Sequence, residues 1–287
     1  MMSDKKRIAF QGELGANSHI ACQTVYPDME VLPCTTFDAA FRAVQDGRAE
    51  LAMMPVENTV AGRVADIHRL MPGSDLYITG EHFMRIHHCL LGLKGAKREA
   101  LTHVRSHEMA IGQCRGLINE LGLEPVVAAD TAGSAREIAA QGDASYAAIA
   151  SALAAEIHQL DILQENIEDA AHNTTRFLIM SAKPDDADIE DGEVITSFIF
   201  RTRNVPAALY KALGGFASNV VNMTKLESYQ VEGSFTATQF YADIEGHPDE
   251  ERVRLALEEL TFFCSEMNIL GVYPADPYRK IINGQTD

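Results

Sequence analysis

Two short runs concentrate the groups that could do chemistry. One is Pro55-Val56-Glu57-Asn58-Thr59-Val60-Ala61-Gly62, the other Asn173-Thr174-Thr175-Arg176-Phe177, and more than 100 residues separate them. Each sets a carboxylate or guanidinium, an amide and hydroxyls beside an apolar strand. Polar groups converging from distant segments are how a small-molecule site is built. Arg176 can hold a ligand carboxylate through two parallel N–H bonds, or pair with Glu57 and tie the two runs together; both readings stay open. Asn58 can orient a carboxylate or hydroxyl. Glu57 repels an anion unless it is protonated or paired. Taken alone, Asn173-Thr174-Thr175 reads first as the start of a strand, and Phe177 as core.

Other residues suggest chemistry less firmly. The turn Gly12-Glu13-Leu14-Gly15-Ala16-Asn17-Ser18 leads into a helix, whose first N–H groups favour anions. His87-His88 hints at a metal, but neighbours on a strand point to opposite faces, so both read as structural. Ser106-His107 looks like a nucleophile and base. Sequence neighbours rarely align that way and no GxSxG elbow lies near, so hydrolase chemistry is rejected. Five cysteines, at 22, 34, 89, 114 and 264, show no CxxC spacing. Neither a disulfide framework nor a zinc site is expected, and most read as small buried apolar residues.

The elements that must position these residues follow from periodicity. Strands over 7–11, 31–34 and 51–55 alternate with helices near 21–23 and 39–46, the second capped by Thr36 or Asp38 and closed by Gly47. This rhythm implies an open α/β sheet. A strand over 84–92 opens a second series: strands at 104–107, 126–129 and 146–150, and helices over 109–121, 134–141 and 151–157. A strand at 177–180 returns to the first lobe, leaving a cleft between the two. Residues 183–192 are acidic and read as a linker. Beyond them come a strand (194–201), a helix (206–216, Pro206 in its first turn), strands 222–229 and 235–244 around a turn at 230–233, an amphipathic helix (248–267) and a strand (269–273). That order is βαββαβ, the ferredoxin-like unit.

The chain has 287 residues and a formal charge of −17. Nucleic acid and anionic membrane are poor partners for such a surface. An anionic ligand must find local positive potential, from arginine or helix starts. No run of about 18 apolar residues occurs, and Ile8-Ala9-Phe10 is too short for a signal peptide, so a cytoplasmic protein is expected.

From about residue 7 to 275 the chain resembles prephenate dehydratases with a C-terminal ACT regulatory domain. The markers are Gly12-Glu13-Leu14-Gly15, Pro55-Val56-Glu57-Asn58-Thr59, Ser106-His107 with Gln113-Cys114, Thr175-Arg176-Phe177, Ala208-Leu209-Tyr210-Lys211-Ala212-Leu213 and Thr224-Lys225-Leu226-Glu227-Ser228. The resemblance implies a monofunctional enzyme with a two-lobed, periplasmic-binding-protein-like catalytic domain over 1–183. Lobe one would take about 6–83 and 166–183, lobe two about 84–165. A linker (184–193), an ACT domain (194–275) and a tail (276–287) would follow.

The implied reaction converts prephenate to phenylpyruvate, water and carbon dioxide in L-phenylalanine biosynthesis. Aromatisation drives it, so no metal or redox cofactor is called for. Thr175, Arg176, Asn58 and Glu57 become the implied catalytic residues. Thr175 suits hydrogen-bond donation to the leaving oxygen better than full proton transfer. Thr59, Ser18, Ser106, His107, Asn173 and Thr174 would surround the substrate. The family's usual residues differ at Ala16 and Asn17, at Thr59 (commonly serine), and at Glu108 and Met109. L-phenylalanine is the implied effector, at Ala207, Ala208, Leu209, Glu227 and Ser228, where Ala207 replaces a glycine and Tyr229-Gln230 an Arg-Pro pair. A homodimer or tetramer is expected. Arogenate dehydratase is the same-chemistry alternative. A non-catalytic amino-acid sensor is the other, against which the retained Thr175, Arg176 and Asn58 argue.

Overall fold

The computed structural model of the protein describes residues 6–203, 205–230 and 237–282. β1 (Arg7–Gln11), β2 (Glu30–Cys34) and β3 (Leu51–Asn58) run parallel, joined by α1 (Asn17–Val25) and α2 (Phe37–Gln45). Ile8-Ala9-Phe10 and Ala52-Met53-Met54 are wholly buried, as parallel strands covered on both faces require. Thr36, not Asp38, caps α2 by accepting the Ala39 N–H.

The chain continues through β4 (Gly62–Arg63), α3 (Ala65–Leu70), β5 (Tyr77–Arg85), β6 (Cys89–Gly92), β7 (His103–His107), α4 (Glu108–Gln113), α5 (Arg115–Leu121), β8 (Glu124–Ala128), α6 (Thr131–Gln141), β9 (Tyr146–Ala150), α7 (Ala152–His158), β10 (Asp161–Gln164) and β11 (Thr174–Ser181). One sheet has the order β2-β1-β3-β11-β5, with β4 on β3; the second has the order β10-β6-β9-β7-β8. Two α/β lobes result, as the periodicity implies.

Two predicted elements of these lobes are each split in two, both where the 167–169 segment intervenes. The single strand expected over 84–92 is two, β5 and β6. Between them the Glu168 carboxylate takes the His88 backbone N–H at 3.0 Å and meets His87 Nδ1 at 2.9 Å. The helix expected over 109–121 breaks at Cys114 into α4 and α5. There Asp169 donates its N–H to the Gln113 carbonyl, and its carboxylate accepts from Gly116 N–H.

The C-terminal segment forms β12 (Val194–Thr202), α8 (Ala208–Ser218), β13 (Met223–Gln230), β14 (Ala237–Glu245), α9 (Glu251–Phe263), β15 (Cys264–Pro274) and α10 (Tyr278–Ile282). Its sheet is antiparallel with the order β13-β14-β12-β15, so the expected βαββαβ unit is present. Phe198, Phe200, Phe216 and Phe240 stack in its core against Val253, Leu257 and Leu260. α9 is shorter than the predicted 248–267 because Cys264 to Met267 pair with β12 instead. α8 begins at Ala208 rather than Pro206, after Ala207 at φ 62°. This left-handed conformation costs an L-residue about 1 kcal/mol, which a glycine would not incur. The turn expected at 230–233 falls mostly outside the described residues.

Contacts divide the chain into two compact units, 1–64 with 82–177 and 65–81 with 178–287. By these contacts, residues 65–81 and 178–183 group with the C-terminal segment. Long-range packing is the reason. A Cβ on Gly271 would lie 1.9 Å from the Ile78 carbonyl oxygen, so backbone rests on backbone there. Glu81, its side chain fully buried, pairs with Arg279 at 2.5 and 2.8 Å, and Tyr229 Oη meets His68 Nδ1 at 2.8 Å.

Candidate active site

Asn58 ends β3, where open α/β sheets bind ligands, and its carboxamide is fully committed. Its oxygen accepts from Val60 and Ala61 N–H at 2.9 and 2.8 Å. Its nitrogen donates to Asn173 Oδ1 at 2.8 Å and to Thr175 Oγ1 at 2.9 Å. An amide nitrogen can only donate, so Thr175 Oγ1 accepts and keeps its own proton for another partner. Asn58 thus aims the Thr175 hydroxyl.

The surrounding residues hold that pair in place. Thr59 accepts the Thr174 N–H at 3.0 Å and donates to the His172 carbonyl at 2.6 Å, fastening the end of β3 to the start of β11. Asn173 is wholly buried and Thr174 nearly so. Arg176 is 3% exposed and pairs with Glu57 at 3.1 Å, and its guanidinium carbon lies 5.8 Å from the centre of the Phe83 ring. Of its two readings, the structure shows the internal ion pair. Phe177 is core.

A second layer was not evident from the sequence. Gln113 Oε1 accepts from Asn173 Nδ2 at 3.1 Å and faces His88 Nε2 at 2.8 Å. Burial pushes the His88 pKa below its ordinary value, against the opposing pull of Gln113 and Glu168, so the ring is neutral at pH 7. Burial would raise Glu168, but the His88 and Glu168 N–H groups and His87 outweigh it and hold the carboxyl low.

Other predicted site residues fall elsewhere. Ser106 is fully buried and donates to the Ile149 carbonyl at 2.7 Å, so it ties β7 to β9 and offers no surface to a cleft. His107 caps α4, its Nδ1 accepting the Met109 N–H. Neither orients the other, as the rejection of a nucleophile–base pair requires. Ser18 lies in the first turn of α1, 8% exposed, and no hydrogen bond among the described residues joins it to the Asn58–Thr175 cluster. Ala16 caps α1 without a side-chain bond, so the helix start keeps open N–H groups. Gly15, at φ 93°, packs where a Cβ would meet Ala154 Cα at 2.8 Å, and its carbonyl takes the Ser151 hydroxyl.

The Glu13–Arg136 pair, at 2.8 and 3.0 Å, also joins the lobes, and Arg136 holds the Glu13 carboxyl low. Beside it lies a cavity of about 510 Å³. Another of about 620 Å³ in the C-terminal unit places Glu193, Glu250, Arg252 and Lys280 along its wall. Thr175 lines neither.

All five cysteines are free and buried; burial pushes the Cys22 thiol up to about 12. Among the described residues no group of three or more His, Cys, Asp or Glu could hold a metal ion.

The family model for prephenate dehydratase matches residues 8–185. The chain belongs to the prephenate dehydratase family. A Komagataeibacter europaeus protein, named bifunctional N-acyl-homoserine lactone acylase/prephenate dehydratase, is 52% identical over 97% of this chain and 99% of its own. Arogenate dehydratase/prephenate dehydratase 1, chloroplastic, of Arabidopsis thaliana is 38% identical over 96% of this chain and 74% of its own. The crystal structure of an Arthrobacter aurescens prephenate dehydratase in complex with L-Phe matches 94% of this chain and 90% of its own, at TM-score 0.85 and 30% identity. This family comprises lyases of aromatic amino acid biosynthesis.

In this prephenate dehydratase family member, the implied effector residues are differently disposed. Ala208 is buried and Leu209 packs against the C-terminal core. Glu227 and Ser228 point to opposite faces of β13, Ser228 exposed and Glu227 paired with Lys225 at 3.2 Å.

Proposed function

We propose that the protein converts prephenate to phenylpyruvate, water and carbon dioxide. The observation that carries this reading is the Thr175 hydroxyl, oriented by Asn58 with its proton free to donate. In the reaction the electron pair of the bond to the ring carboxylate moves into the ring, carbon dioxide departs, and the 4-hydroxyl leaves with its bonding pair and takes one proton from solvent to become water. A hydrogen bond from Thr175 stabilises charge as it develops on that oxygen. Glu57 neutralises much of Arg176, so the carboxylates of the dianion draw also on Ser18 and the open N–H groups of α1.

L-phenylalanine is the proposed effector, bound by the βαββαβ unit acting as an ACT domain in a homodimer or tetramer. The Arthrobacter relative crystallised with L-Phe supports this, as does exposed Ser228. No helix among the described residues is long and apolar enough to cross a membrane; a cytoplasmic enzyme is proposed.

Two further readings rest on named relatives. Arogenate as substrate is supported by the plant relatives. Acyl-homoserine lactone hydrolysis is supported by the Komagataeibacter relative's identity over nearly the whole chain. Against it, the Ser106 and Ser151 hydroxyls are buried and committed to backbone carbonyls. One set of assays separates all three: phenylpyruvate released from prephenate, phenylalanine released from arogenate, and homoserine lactone released from its N-acyl derivative. Turnover of prephenate is the expected result. Turnover of arogenate alone selects the second substrate, release of homoserine lactone alone the acylase, and no turnover at all a sensor.

A further inference from the structure

We infer that His88 is a positioning residue for the dehydration, acting on Thr175 through Gln113, Asn173 and Asn58. The inference deepens the proposed reaction and rests on it. His88 sits in the short link between β5 and β6, 3% exposed, its backbone N–H held by Glu168.

The direction of each bond in the chain is fixed by the next. Gln113 Oε1 accepts from Asn173 Nδ2, and a carboxamide oxygen donates nothing, so His88 must present Nε2–H to it. Turning the Gln113 amide over would set its NH₂ against the Asn173 NH₂. His88, presenting Nε2–H, reinforces the amide orientation that Asn173 requires. That orientation holds Asn173 with its NH₂ toward Gln113 and its oxygen toward Asn58. Asn58, with its oxygen claimed by Val60 and Ala61, can then only donate to Thr175. The network that leaves the Thr175 proton free is thus held from both ends, by the Val60 and Ala61 N–H groups at Asn58 and by His88 Nε2–H at Gln113. The neutral ring serves here through its N–H alone, with no proton transferred.

Two variants of similar polarity test this. In His88→Gln the side-chain N–H reaches about as far as Nε2. In His88→Asn it is one methylene short. With prephenate, His88→Gln is expected to keep kcat within about threefold of the parent. His88→Asn is expected to lower kcat about tenfold or more with KM within about threefold, as loss of an orienting bond to a buried partner predicts. In a Gln113→Ala background the relay is already cut, and His88→Asn should cost less than about a further twofold. Equal kcat in the two variants, whether high or low, overturns the inference and leaves the proposed reaction standing. Absence of prephenate turnover in the unmodified enzyme overturns that reaction, and the inference with it.

Discussion

Thr175→Ala lowers kcat for prephenate by roughly 10²–10³-fold with KM changed less than about threefold, the signature of an interaction made mainly in the transition state. The substitution removes the one hydroxyl that Asn58 aims. It also leaves an Asn58 N–H without its acceptor, at a stability cost of about 1 kcal/mol, too small to unfold the protein. Thr175→Ser restores the hydroxyl and should return kcat to within about tenfold of the parent. Steady-state kinetics on the three proteins checks this; a serine variant as impaired as the alanine variant would remove the hydroxyl from the account.

The second large effect is on stability. Glu57→Leu should destabilise the protein by about 2–4 kcal/mol, because Arg176 is 3% exposed and loses its carboxylate partner. The figure sits below that of a fully buried pair because the Glu57 side chain is 33% exposed. Replacing both, Glu57→Leu with Arg176→Met, should recover most of the loss in a denaturant titration while activity stays low. A double variant no more stable than Glu57→Leu alone would show that the pair is not what holds this region.

The runs around Asn58 and Thr175 were legible because amides and hydroxyls cluster at strand ends, where bland turns would also put them; the structure turns that clustering into direct bonds. The lobes and the βαββαβ unit were legible through hydrophobic period. What sequence could not show was commitment. Ser106 looks available until its hydroxyl is seen on the Ile149 carbonyl. His88 looks merely structural until Gln113 is seen beside it, and nothing in local spacing brings those two together. The break at Cys114 and the affiliation of 65–81 with the C-terminal unit likewise come from segments distant in sequence: Asp169 in one case, Gly271 and Arg279 in the other. Local periodicity carries no record of either.

The most direct test of the central claim is a crystal structure with a non-reacting prephenate analogue that keeps the 4-hydroxyl. The account predicts that oxygen within about 3 Å of Thr175 Oγ1, in line with the proton that Asn58 leaves free. An analogue seated with its 4-hydroxyl beyond about 4 Å of Thr175, or bound away from β3 and β11 altogether, would contradict it.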